Sequence, residues 1–420
     1  MSFLSQSRPA RLLRLLPAPL ALGLLLTACN SGSDKSAADT SDAAVTAAPV
    51  VALTDSASWY QQFRGVLPGS TDSITVHLQR VNEVPGENTL GRLVGFYAAA
   101  DGHPYELTGD VSPTTDSLRL RDTSHELLND QNVGPQWLLK QEGSALVGTR
   151  AGQPVRLRLL RQPVGVRFST RTFAAAVLPR PESPQDSVFG QLSMFALVPE
   201  SGAGKDKLAA NLARGLRGDS LESKPALSLD ALWQEQLAYF TKEYRKEVAP
   251  MVSKVLADST DDYQPLATLS YEQEANTYVL WNEGDLLSIG YFGYDFSGGA
   301  HGIYGTYVRS YDTRTGRALG YNDIFKPGTR PQLEGILGRY ARPALGLKDG
   351  ASMAGKLFKN SLPATRNVYL TSGGAIFVYL PYEVASYAQG EISVFVPYSA
   401  LQAVLKPGLP ISSGQAVARN

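Results

Sequence analysis

The stretch NTYVLWNEGDLLSIGYFGYDFSGGAHGIYGTY (residues 276–307) decides the fold of the C-terminal half. From Thr277 to Phe296 apolar and polar side chains alternate, as in a strand with one buried face, and the alternation is interrupted at Glu283-Gly284 as a hairpin turn requires. It breaks off again in FSGGAHGIYGTY (296–307), where four glycines, a single histidine and several aromatic residues share twelve positions. Beyond this loop GTYVRSYD resumes the alternation, before a second turn at Arg314 to Gly316. Gly298 and Gly299 mark a place where the backbone takes positive φ or closely approaches another group, so the loop has a defined shape. A shaped loop between strands is a candidate functional surface.

Upstream, SLDALWQEQLAYFTKEYRKEV (228–248) has Leu229, Leu232, Trp233, Leu237, Phe240, Tyr244 and Val248 at three- and four-residue spacing, which predicts an amphipathic helix packed on a sheet and closed by Pro250. A strand is expected over SVFGQLSMFALV (187–198) and a helix over GKDKLAANLARGL. Downstream, a helix is expected near Pro331 to Tyr340, then two strands in RNVYLTSGGAIFVYLPYEVA and a last one in EISVFVPYSAL. Strands mixed with a few helices, without repeated βαβ units, predict an α+β domain whose antiparallel sheet is covered by helices.

Residues 59–162 read differently. Short alternating runs recur at intervals of roughly ten residues, separated by Pro-Gly, Asp-Gly or Ser-Pro clusters, and predict an all-β domain: a sandwich, meander or small barrel. His77 falls on the polar side of a strand by the two-residue period, and no His, Asp or Glu stands at ligand spacing, so no metal site is expected there. His103 reads as a turn residue and His125 as a loop residue. Prolines at 163, 179, 181 and 184 make 163–186 a linker or edge crossing.

The chain has 420 residues, enough for two or three domains, with 43% hydrophobic and 19% charged residues. Lys plus Arg and Asp plus Glu number 39 each, so net charge gives no support for a nucleic-acid partner, and any charged patch has to be local. Arg8, Arg11 and Arg14 precede the apolar run LLPAPLALGLLL, too short for a comfortable membrane span, so residues 1–28 read as a secretory signal. Leu26-Thr27-Ala28-Cys29 resembles the lipobox of bacterial lipoproteins, which implies lipid modification at Cys29. Cys29 is the only cysteine, so disulfides are excluded. With Asn30 next, the expected location is the cell envelope, the outer membrane in a diderm bacterium. Residues 29–58 have the Ser, Ala, Thr and Asp composition of a tether, and 409–420 read as a disordered tail.

Gly298-Gly299-Ala300-His301, Thr315-Gly316, Leu319, Asp323-Ile324-Phe325, Pro381-Tyr382-Glu383, Tyr387-Ala388 and Gly390 occur in one order. In that order they resemble the C-terminal domain of unknown function shared by the anti-sigma factor RsiV and PdaC-type peptidoglycan deacetylases. The likeness spans 262–408, with 187–261 as a companion segment. RsiV binds lysozyme and PdaC acts on peptidoglycan through a separate catalytic domain. The resemblance therefore implies a non-catalytic recognition domain for a wall glycan or a lysozyme-like protein. The sequence lacks the deacetylase metal motifs, and no cofactor is expected. Candidate ligand-binding residues are Gly298, Gly299, His301, Tyr304, Tyr382, Glu383 and Tyr387. The alternative is an envelope saccharide hydrolase or deacetylase using His301 with Glu383, since histidine titrates near neutral pH and a carboxylate can orient it.

Overall fold

The structure is a computed structural model that describes residues 58–81, 91–98, 102–112, 117–124, 134–183, 188–218, 225–257 and 268–411. The readings of the signal segment, Cys29, the tether, His125 and the chain beyond residue 411 lie outside these residues.

Eight strands, β1 (Trp59–Val66), β2 (Ser73–Val81), β3 (Arg92–Ala98), β4 (Pro104–Val111), β5 (Ser117–Asp122), β6 (Gln136–Glu142), β7 (Ala145–Arg150) and β8 (Gln153–Leu159), close into an antiparallel barrel. Closure comes from Phe63 opposite Leu159 and Arg64 opposite Arg158. The two-residue period turns Val76, Leu78, Leu93, Leu120, Trp137, Leu139 and Leu157 inward, where they fill the interior. Ala151 and Gly152 join β7 to β8 with φ of 49° and 77°, the pair of positive values that suits the right-handed twist of a tight hairpin.

A six-stranded sheet follows, in the order β14-β13-β12-β11-β10-β9. Its strands are β9 (Phe168–Val177), β10 (Gly190–Pro199), β11 (Glu272–Glu283), β12 (Leu286–Phe296), β13 (Ile303–Asp312) and β14 (Arg317–Leu319). The stretch read as a linker or edge crossing holds the edge strand β9, whose FSTRTFAAAV lies between the prolines rather than among them. The sheet is mixed rather than wholly antiparallel, because β10 runs parallel to β11. A parallel pair needs a long crossover, supplied here by α1 (Lys205–Arg217) and α2 (Leu229–Ala257).

Pro250 does not close α2, which continues to Ala257. Val252, beyond the proline, is fully buried in the same cluster as Trp233, Phe240, Tyr244 and Val248. Packing of this stripe outweighs the hydrogen bond that proline removes, a penalty of about 3 kcal/mol. The predicted turn at Glu283-Gly284 is the two-residue loop Gly284-Asp285, with Gly284 at φ 58°.

A second, three-stranded sheet, ordered β15 (Val368–Leu370), β16 (Gly374–Tyr379) and β17 (Ile392–Pro397), packs with the helices α3 (Tyr321–Ile324), α4 (Arg330–Ala344) and α5 (Tyr398–Leu401) around its own core. Leu409 and Ile411, at the start of the expected tail, lie against that core because both are apolar. The two sheets are joined by buried serines: Ser288 Oγ donates to Leu370 O at 2.6 Å, and Leu370 N donates to Ser310 Oγ at 2.9 Å.

The barrel docks on the six-stranded sheet through its β1–β3 wall. Gln79 fills the gap at an irregularity in β11, donating to Thr277 O at 3.0 Å and accepting from Val279 N at 2.5 Å. Asn282 accepts from Val166 N and donates to Val166 O, both at 2.8 Å, while Gln62 Nε2 donates to Asn282 O at 2.8 Å. His77 lies on the outer face of β2, as its two-residue period predicts, and is buried there because the sheet covers that face. Its Nδ1 meets the Tyr60 hydroxyl at 3.0 Å, and burial pulls its pKa down to about 3, so the ring is neutral. His103 sits just before β4 and packs edge-on to Phe395 of β17.

Candidate functional site

The strand pairing carries the glycine loop to the tip of the β12–β13 hairpin, where the register runs to Asp295 opposite Ile303. Gly298 and Gly299 have φ of 85° and 96°, conformations that disfavour any side chain. A Cβ on Gly302 would come within 2.5 Å of the Tyr294 ring, so that glycine lets the tyrosine lie flat against the chain.

His301 is exposed and stacks on Tyr387, with ring centroids 4.1 Å apart at an interplanar angle of 25°. Its Nδ1 lies 2.8 Å from Gly302 O. A carbonyl only accepts, so this contact places a proton on Nδ1 and leaves Nε2 outside that bond. The Tyr387 hydroxyl donates to the same carbonyl at 2.8 Å. The Tyr382 ring is tilted against Tyr387 at 5.5 Å between centroids, and Tyr304 meets Tyr387 edge-on at 5.8 Å. The outcome is an aromatic shelf of His301, Tyr387 and Tyr382, backed by Tyr304.

Tyr382 owes its exposure to a turn. Glu383 N donates to Leu380 O at 3.0 Å, closing a β-turn over Leu380-Pro381-Tyr382-Glu383. Pro381 supplies the second position, and Tyr382 takes the third at φ 68°, where this turn type asks for glycine. The residue is 51% exposed. A bulky residue held in the left-handed region and half turned to solvent, its ring contact being Tyr387, is a strained feature.

Of the residues expected to act together, His301, Tyr304, Tyr382 and Tyr387 meet at this tip, whereas Gly298 lies beside Thr268 and Tyr271 and a Cβ on Gly299 would meet open space. Glu383 does not join His301: its Oε2 accepts from Leu380 N at 3.0 Å and caps its own turn, and no hydrogen bond or ion pair links it to the imidazole. Asp295, the carboxylate at the end of β12, accepts from Gln273 Nε2 at 2.5 Å. Burial raises its pKa above the ordinary carboxylate range, against the Gln273 and Ser297 hydrogen bonds that lower it. Among the described residues no group of three or more His, Cys, Asp or Glu side chains is placed to hold a metal ion.

Two residues that the sequence did not point to hold the shelf in place. Glu391, just after the Tyr387–Gln389 helical turn, accepts from Thr306 N at 2.5 Å and Thr306 Oγ1 at 2.9 Å, tying that turn to β13. Burial raises the Glu391 pKa, with the Thr306 bonds opposing it. Asn367 donates to Thr306 O at 2.9 Å and accepts from Val308 N at 2.7 Å, pinning the same strand to the smaller sheet. Both bridge positions 59 or more residues apart, a separation that local periodicity does not encode.

Residues 322–399 match the family model DUF3298, described as a protein of unknown function. The match includes the Tyr382 turn and Tyr387 but begins after the glycine loop. The fold is similar to a crystal structure of a DUF3298 family member from Bacteroides fragilis, with 20% identity and a TM-score of 0.50 over 58% of this chain and 96% of that one. A DUF3298 family protein from Pseudomonas aeruginosa is matched at 21% identity and a TM-score of 0.40 over 58% of this chain and 97% of its own. No curated protein matches the sequence. The C-terminal part of this chain therefore carries a DUF3298 domain, matching that family in sequence over residues 322–399 and in fold.

Proposed function

We propose that this protein is a lipid-anchored component of the cell envelope whose DUF3298 domain recognises a wall-associated ligand without transforming it. The observation that carries the reading is the strained, solvent-facing Tyr382 beside the stacked His301 and Tyr387 rings. Such a shelf offers flat aromatic faces, one phenolic hydroxyl and one imidazole nitrogen, the combination that suits the apolar C–H face and the hydroxyls of a sugar ring. The carboxylate expected to assist His301 in acid/base chemistry, Glu383, is engaged in its own turn, and the Gly302 carbonyl is the group that orients the imidazole. The lipobox-like Leu26-Thr27-Ala28-Cys29 supports anchoring at Cys29 and a ligand, glycan or lysozyme-like protein, met outside the cytoplasm. Nothing in the charge balance favours nucleic acid.

The test is co-sedimentation with purified peptidoglycan sacculi, and capture on immobilised lysozyme, using wild type, Tyr382→Ala and His301→Ala. Retention of wild type on sacculi, weakened in both variants, is the expected result; equal retention of all three, or none, removes the shelf from recognition. Anchoring is tested separately by metabolic labelling with a fatty-acid analogue, which Cys29→Ser abolishes.

A further inference from the structure

The C-terminal domain carries a groove besides the aromatic shelf. It has a volume of about 410 Å³, the size of a small-ligand site, and opens between α4 and the segment 353–363. Its floor is apolar, made by the buried Met353 and Leu362. Glu334, Arg342, Lys359 and Asn360 supply the polar lining. Gly338 of α4 keeps the groove open, since a Cβ there would meet nothing within 4 Å.

Charge in this groove is unbalanced. Glu334, the carboxylate that lines it, is already engaged, accepting from Arg330 Nε at 3.1 Å and from Ala364 N at 3.3 Å. Arg342 donates from Nε to Ala351 O at 2.8 Å and from Nη1 to Gly338 O, two neutral carbonyls that fix its fork and leave Nη2 over. Among the described residues neither Arg342 nor the exposed Lys359 is in an ion pair. Asn360 Oδ1 accepts from Met353 N at 2.7 Å and from Ser352 Oγ at 3.2 Å, so its Nδ2 is the end left over. Two cations and an amide donor around one groove suit an anion with several acceptor atoms.

The groove is tied to the shelf. Phe358 N donates to Val384 O at 2.9 Å, joining the segment that carries Lys359 to the one that carries Tyr382. Two Cα steps of about 3.8 Å from Tyr382 to Val384, that bond, and one step from Phe358 to Lys359 hold the Tyr382 and Lys359 Cα atoms within about 18 Å. On this path Phe358 is 62% exposed, more than any other large hydrophobic among the described residues.

We propose that this groove binds the free carboxylate of a peptide, carried by a wall sugar whose ring lies on the Tyr382 shelf. A carboxylate matches the planar guanidinium fork, and the apolar floor takes an aliphatic side chain beside it, which inorganic phosphate lacks. The pairing with a sugar rests on the recognition reading above, whereas the carboxylate assignment rests on the groove alone.

The experiment is isothermal titration of the full chain with a peptide-bearing disaccharide released from peptidoglycan, its carboxylates free or amidated. Wild type should bind the acid about tenfold more tightly than the amide, the worth of hydrogen bonds to a charged group. Gly338→Leu fills the groove and suits a helix better than glycine, and it should erase that preference. Lys359→Gln should weaken binding of the acid about fivefold, whereas Lys242→Gln, which removes the same charge from α2, should not. About 0.5 M salt should shrink the preference. Circular dichroism melting checks that Gly338→Leu folds, and Lys359→Gln, at an exposed position, serves if it does not. Equal binding of acid and amide by wild type, no binding of either, a preference left intact by Gly338→Leu, or tighter binding of inorganic phosphate than of the acid overturns the proposal. The free peptide, as acid and as amide, separates groove from shelf. An acid preference kept for it, with Tyr382→Ala binding the disaccharide like wild type, would sink the shelf and leave the groove standing. Loss of binding in Tyr382→Ala without any acid preference would do the reverse.

Discussion

Replacing Tyr382 by glycine and by alanine separates backbone strain from side-chain use. Both variants lose the same ring, so lost contacts cancel in the comparison. Alanine keeps the left-handed strain of φ 68°, worth about 1–2 kcal/mol for a residue with a Cβ. Glycine relieves it but loses about 0.5–1 kcal/mol through the greater freedom of its unfolded chain. The difference leaves Tyr382→Gly more stable than Tyr382→Ala by about 0.5–1 kcal/mol, the reverse of their order in a helix or strand. Equilibrium urea unfolding followed by tryptophan fluorescence measures it. If alanine is as stable as glycine, the turn assignment is wrong. Both variants should lose retention on sacculi equally. A glycine variant that binds like wild type would mean that the phenol ring, and the strain that displays it, serve nothing in recognition.

Asn282→Ala should destabilise the protein by about 2–5 kcal/mol, because the N–H and C=O of Val166 both lose their buried partner; urea midpoints measure this. Pro250→Ala should stabilise α2 by about 2 kcal/mol, the helix penalty of proline less its entropic benefit, and a fall or no change in melting temperature would count against the packing argument. Two groups, half-buried Glu106 and buried His77, should oppose each other in the pH dependence. Glu106 is raised from 4.5 to about 7, first by burial and then by Glu391 and Asp122, so the folded state holds the extra proton and stability falls as pH rises from 4.5 to 7. His77 is lowered from 6.5 to about 3 by burial, so the unfolded state holds the extra proton and stability rises between pH 3 and 6.5. Where the windows overlap the two slopes cancel in part; Glu106→Gln should expose the rise and His77→Gln the fall, read from urea titrations at stepped pH.

The hairpin around Gly284 was legible because its signals are local: period-two alternation and a glycine at the turn. The barrel was legible as an all-β domain for the same reason, although which strands close it depends on Phe63 meeting Leu159, a pairing between distant positions. Pro250 misled because a local breaker was outweighed by Val252 packing into a tertiary core. His77 was legible as a residue of the outer, polar face of its strand, but not that Tyr60 and Gln62 of β1 and the six-stranded sheet, through Asn282, would bury it. At the candidate site, the glycine loop and the Pro381-Tyr382-Glu383 corner stood out as residue types. Their meeting at Tyr387, the withdrawal of Glu383 into its own turn and the anchoring by Glu391 are long-range facts that only folding fixes.

The most direct test of the central claim is backbone NMR of the protein titrated with soluble muramidase-released glycan fragments, with the products followed by mass spectrometry. The account predicts shifts confined to residues 297–307 and 380–391, and to the groove over 334–363, in wild type, the first two sets lost in Tyr382→Ala, with the fragments recovered unchanged. Shifts elsewhere, or fragments cleaved or deacetylated by wild type but not by His301→Ala, would contradict it.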